Sequence, residues 1–121
     1  MDAEHSIHIE PDEFRTMITN SLDGFLIVAV TGYILEANDS YCRMVGYSRE
    51  ELINIHISEV DAIESVEDVS KRAEEIVQRG ALRFETKHKH KNGSIIDIEV
   101  CSNYSSVHGV FIFHLPGYFR A

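Results

Sequence analysis

Cysteine is scarce in this chain: two residues in 121, Cys42 and Cys101, with no CxxC spacing. That is too few for a disulfide framework, and reduced thiols are expected. Long hydrophobic runs are missing as well; none approaches the roughly 20 residues that span a bilayer, so membrane insertion of this domain is not expected. Met1 to Glu10 mixes acids and histidines and lacks the basic start and apolar stretch of a secretory signal, which points to a cytoplasmic setting. Basic side chains are few, 11 against 20 acidic ones, for a net charge of -9. Such a chain repels a polyanion, which argues against nucleic acid as a partner. The shortage is local: residues 1–80 hold 6 basic and 17 acidic side chains, residues 81–121 hold 5 and 3. There is no GxSxG elbow, P-loop, HExxH or dinucleotide fingerprint, and the many carboxylates fall on helix faces predicted to be wet, so no catalytic residues are assigned. Repeats and low-complexity segments are absent too.

What is present is ordinary globular material, 44% hydrophobic and 26% charged, in a length that suits one domain. Pro11 stands where a helix would start, and Phe14, Met17, Ile18 and Leu22 follow at helical spacing before Asp23-Gly24. "GFLIVAV" (24–30) is short and apolar on both alternating faces, the pattern of a covered strand. Thr31-Gly32 turns the chain into "YILEA" (33–37), its hairpin partner. Asn38 is an N-cap for about two helical turns ending at Gly46, and Ser48 with Glu51 has capping-box spacing for another short helix. Ser65 and Asp68 open the longest helix, which runs to Gly80. From residue 81 the period changes to two, with Asn92-Gly93 between "ALRFETKHKHK" and "SIIDIEVCSNY". "VHGVFIFHL" (107–115) supplies a last strand. An antiparallel sheet with its helices collected in mid-sequence is an α+β arrangement.

The segment "DGFLIVAVTGYILEANDSYCRMVGYSREEL" (23–52), together with the Lys91-Asn92-Gly93-Ser94 hairpin after a long helix, resembles the PAS (sensory box) family over roughly Phe14 to Leu115. The resemblance implies a five-stranded antiparallel sheet of order 2-1-5-4-3 with helices packed on one face around a small cavity. It implies a sensory domain at 12–115, a flexible tail at 1–11 and a C-terminal tail or connector at 116–121. Such a domain binds a small molecule, forms a homodimer and relays a signal to an output domain of histidine kinase or diguanylate cyclase type. The alternative is a dimerisation module with a filled core and no ligand.

Family cofactor motifs can be matched by position. In the light-sensing flavin branch a cysteine follows the Glu-Glu-Leu-like helix; here "HISEVD" (56–61) places Ile57 there, so flavin-thiol photochemistry is not expected. Cys42 lies about fifteen residues too early to replace it and reads as a small buried hydrophobe. Haem-binding members carry a histidine on the long helix, and residues 65–79 contain none. His56 could serve as an unusual ligand, but a satisfied structural histidine is the simpler reading. No metal site is assigned, since two histidines at i and i+2 in "KHKHK" (87–91) lack a third ligand.

If the register follows family members with a known pocket, His88 points into the cavity with Leu26, Val28, Ile98, Val100 and Ile112, while Asn38, His56 and Ile57 stand near it. A histidine among aliphatics could hold the polar end of a ligand; the bland alternative is an edge strand whose alternating charges oppose aggregation. On the opposite sheet face, Phe25 and Ile27 would join Phe111, Phe113 and Leu115 in one apolar patch. The helix carrying Phe14, Met17, Ile18 and Leu22, or the same surface of a second subunit, would cover it.

Overall fold

The computed structural model describes residues 21–117. One carboxamide organises the start of the fold. Asn38 Oδ1 accepts from the backbone N–H of Tyr41 at 3.1 Å and of Phe25 at 2.9 Å, and its Nδ2 donates to the Asp23 carbonyl at 2.9 Å. The first bond is the N-cap of α1 (Asp39–Val45); the other two pin that helix start to the head of β1 (Gly24–Ala29). Between them runs β2 (Ile34–Ala37), antiparallel to β1. Gly46 ends α1 at φ 76°, against the ring of His90, which leaves no room for a side chain.

Ser48 and Glu51 close both halves of a capping box at the start of α2 (Arg49–Leu52), and Ser65 with Asp68 does the same for α3 (Val66–Arg79). A 3₁₀ turn at Ile57–Glu59 lies between them. The long hairpin follows as β3 (Ala81–Lys89) and β4 (Ile95–Ser105), and β5 (Val110–Leu115) completes the sheet. Strand order is β2-β1-β5-β4-β3, every neighbouring pair antiparallel. The α+β class and this order agree with the sequence reading. Among the described residues no helix is long and apolar enough to cross a membrane.

The core lies between the sheet and the helices, with Leu26, Tyr41, Leu52, Ile76, Val100 and Leu115 all nearly sealed from solvent. Burying each such aliphatic side chain contributes roughly 1.5–3 kcal/mol.

Two expectations need correction. Phe111, Phe113 and Leu115 are not on the outer face: they are 2%, 7% and 1% exposed and belong to the core. The register explains why. Leu26 sits opposite Phe113 and Val28 opposite Phe111, and directly opposed residues share a face, so these phenylalanines follow Leu26 and Val28 inward. Ile112, expected in the cavity, is paired with Ile27 and turned outward with it. The apolar part of the outer face therefore consists of half-buried Phe25, Ile27, Val110 and Ile112. Of the expected covering helix, Phe14, Met17 and Ile18 lie outside the described residues, and Leu22 is 87% exposed.

Candidate ligand cavity

β3 presents its residues alternately, so Lys87 and Lys89 stand in solvent while Thr86 and His88 are buried. His88 is 2% exposed and cannot leave its ring nitrogens unpaired without cost. Its Nδ1 lies 2.8 Å from the hydroxyl of Tyr41, which α1 delivers from across the core, and the two rings meet edge to face. Its Nε2 lies 3.9 Å from Asp61 Oδ2, too far for a hydrogen bond. The tautomer that fits has Tyr41 donating to Nδ1 and the ring proton on Nε2, facing the carboxylate.

Burial pushes the His88 imidazole down to about 4, with the nearby Asp61 charge partly opposing that shift. Near neutral pH His88 is uncharged, so the His88–Asp61 approach is a dipole facing a carboxylate and not an ion pair. Burial also raises the Tyr41 phenol, with the Asp61 charge adding to it, and keeps the hydroxyl proton in place to donate.

Asp61 is itself 5% exposed. Its Oδ1 accepts from the backbone N–H of Ile63 at 2.9 Å and of Glu64 at 2.7 Å, and its Oδ2 accepts from Thr86 Oγ1 at 2.7 Å. The loop ahead of α3 is thus laced to β3 through a buried carboxylate that needs all three donors.

Of these groups His88 and Asp61 line one end of a cavity of about 30 Å³, two to three times the roughly 10–15 Å³ that a single water molecule needs, while Tyr41 and Thr86 hold them in place from outside it. The rest of its wall is aliphatic and aromatic, including Val28, Ile57, Ile76, Val100, Phe111 and Phe113. Arg72 of α3 and Glu64 before it complete the polar end. The two form an ion pair, and the Arg72 guanidinium carbon lies 3.9 Å from the centroid of the Phe84 ring.

The structure sorts the expected cavity residues. Val28, Ile57, His88 and Val100 line the cavity. Leu26 and Ile98 are buried in the core without reaching it, and Ile112 faces the other way. Asn38 is not at the cavity because its carboxamide is spent on the cap and on β1. His56 is not there either. Its Nδ1 accepts from the Ser58 N–H and lies 2.8 Å from Ser58 Oγ, and its Nε2 is 3.1 Å from the Thr31 carbonyl. It caps the 3₁₀ turn and packs edge-on against Tyr33, the satisfied structural role.

Cys42 is half-buried against the core, and burial, followed by the Asp39 charge, raises its thiol away from the reactive thiolate. Asp61, Glu64, Arg72 and Tyr41 do not stand out in the sequence. Their signal is confined to single polar residues at ordinary positions, and only the fold brings them together. Among the described residues no group of three or more His, Cys, Asp or Glu side chains is placed to hold a metal ion.

A sheet of this order, with its helices across one face and a small cavity beneath them, is the α+β architecture that the sequence resemblance implies. The model of the PAS domain family matches residues 22–114, and the chain belongs to that family. No curated protein matches it. Among solved structures it is similar to the PAS domain of an HTR-like protein from Haloarcula marismortui, at 24% identity over 87% of both chains with a TM-score of 0.77. It is also similar to a domain of a sensory box sensor histidine kinase/response regulator from Geobacter sulfurreducens, at 20% identity over 87% of this chain and 91% of that one, TM-score 0.78. A PAS domain from Desulfitobacterium hafniense aligns at 21% identity over 83% and 95%, TM-score 0.72. PAS domains are in general sensory modules of signal transduction and not catalysts.

Proposed function

We propose that this PAS domain detects a small molecule of a few non-hydrogen atoms at the His88 end of its cavity and relays its presence to an output unit of histidine kinase or diguanylate cyclase type. The observation that carries the reading is the buried, hydrogen-bonded set of Tyr41, His88, Asp61 and Thr86, of which His88 and Asp61 line a cavity whose wall, apart from Glu64 and Arg72, is apolar. A purely structural core would do as well with aliphatics at those positions, since buried polar networks rarely improve stability over good apolar packing. The cavity volume speaks against flavin or haem and for a ligand of very small size, because pockets for larger ligands run to hundreds of cubic ångströms.

The same small volume favours a second reading, a homodimerisation module with a filled interior. In it the outward Phe25, Ile27 and Ile112, with the segment of residues 12–22, form the contact between two copies.

Native mass spectrometry of freshly purified protein, followed by a denaturing run and an absorption spectrum, separates the two. A co-purified mass that is lost on denaturation supports the sensor. An apo dimer with no bound mass supports the dimerisation module. His88→Ala sharpens the result: loss of ligand with the dimer intact fits the first reading, and no effect on either fits the second.

A further inference from the structure

Arg72 has an unusual environment for an arginine on a helix face. Its Nη2 is held by Glu64 and its guanidinium plane by Phe84, but its Nε is buried with no hydrogen-bond partner among the described residues. A buried N–H on a charged group costs more than a neutral one to leave unpaired, and native structures leave few such atoms. The position of the pair adds to the point. Glu64 and Arg72 line the interior cavity on one side, and on the other an open surface recess of about 390 Å³ with Ile63, Asp68, Lys71 and Glu75. The ion pair is therefore the partition between the cavity and solvent.

We propose that the Glu64–Arg72 pair is the entrance of the site, and that the site takes a small neutral molecule whose carbonyl or hydroxyl oxygen accepts the Arg72 Nε hydrogen while its short apolar body lies against Val28, Ala73, Ile76 and Phe84. This rests on the sensor reading above and names the chemical class for it.

Charge selects the neutral class. Among the described residues lining the cavity Arg72 is the only fixed cation, and it is already paired with Glu64; the carboxylate of Asp61 lies at the same end. An anion there would add a third negative charge against a single positive one. A cation would find Asp61 already accepting three hydrogen bonds and Glu64 already committed. Either ion would also lose its hydration against an aliphatic wall. A neutral acceptor satisfies the orphan donor without these costs.

Three probes of four non-hydrogen atoms test the class: acetone, acetate and isopropylammonium. So few atoms bind weakly, so the measurement is an NMR titration in the millimolar range on isotope-labelled full-length protein, following the Arg72 Nε–H resonance and the His88 ring. Acetone is expected to give saturable shifts at both, with isopropylammonium, which has no acceptor, at least about tenfold weaker, the factor expected for losing a hydrogen bond to a charged donor, and acetate weaker as well through lost hydration and repulsion from Asp61 and Glu64. Arg72→Lys, which keeps the charge and removes Nε, is expected to weaken acetone by a similar factor with the melting midpoint retained. Should that variant fold poorly, the wild-type Nε–H shift still reports the contact directly.

Tighter binding of acetate or isopropylammonium overturns the neutral class and leaves an interior ligand standing. No saturable shift with any probe also overturns it; a co-purified mass in the native spectrum would then preserve the sensor reading, and its absence would remove both.

Discussion

At the scale of single residues, His88 ties the site to stability. Its folded-state pKa, about 4, lies below the ordinary 6.5. Between those values the unfolded chain binds more protons than the folded one, so stability rises with pH across that window. The contribution is complete above about 6.5 and is lost as pH falls through 4. Its full size is roughly 3 kcal/mol, since each tenfold change in proton affinity is worth about 1.4 kcal/mol. Urea unfolding from pH 4 to 7 should show this slope, and His88→Gln should flatten it. Tyr41→Phe removes the donor to Nδ1 and leaves a buried acceptor unpaired; an expected cost of about 1–3 kcal/mol is checked in the same assay. Gly32 offers a cleaner pairwise case. Its φ is 99°, and a β-carbon there would run into the His56 ring. Gly32→Ala should destabilise by more than about 1 kcal/mol, and a double-mutant cycle with His56→Ala should recover the steric part of it and not the backbone part.

Among the elements, caps and turns were the most legible features. Asn38, Ser48 with Glu51, Ser65 with Asp68 and the Asn92-Gly93 hairpin all mark boundaries that the structure keeps, because each supplies a local partner to backbone donors or a turn conformation that neighbours cannot replace. Ser65→Ala should cost about 1 kcal/mol in thermal unfolding for that reason.

The facing of β5 was not legible. "VFIFHL" is apolar on both sides, and a strand without period-two contrast carries no mark of which side is buried; its facing comes from pairing with β1. Phe113→Ala should accordingly lose about 3–5 kcal/mol, and the adjacent, outward Ile112→Ala closer to 1 kcal/mol, reversing the order expected from a patch built on Phe113. The site was half legible for a related reason. His88 stands out as a lone imidazole between lysines in a strand, whereas Arg72 shares a helix with many charges and Asp61 sits in a loop. Nothing near either in sequence shows that Asp61 or the Arg72 Nε is buried.

For the molecule as a whole, the points where the described chain begins and ends meet at one carboxylate. Asp23, at the head of β1, accepts from the Gly117 N–H at 2.7 Å and lies 2.7 Å from His114 Nε2, while the His114 ring stacks on Phe25. The Gly117 bond, then the His114 bond, holds the Asp23 carboxyl below its ordinary range, so the grip is complete above that range and is released only as pH falls below it, through the lowered folded-state value. Because β1 and β5 are antiparallel and Gly24 pairs with Leu115, the flanking chain enters and leaves at the same end of the same strand pair. Tension between those flanks acts across the ladder and not along it. It opens the pairs one after another, as a zipper opens, where a shearing geometry would load them all together. The Asp23 grip is the first tooth of that zipper, so a modest pull from outside reaches β1 and, through Asn38, the cap of α1 before it reaches the core.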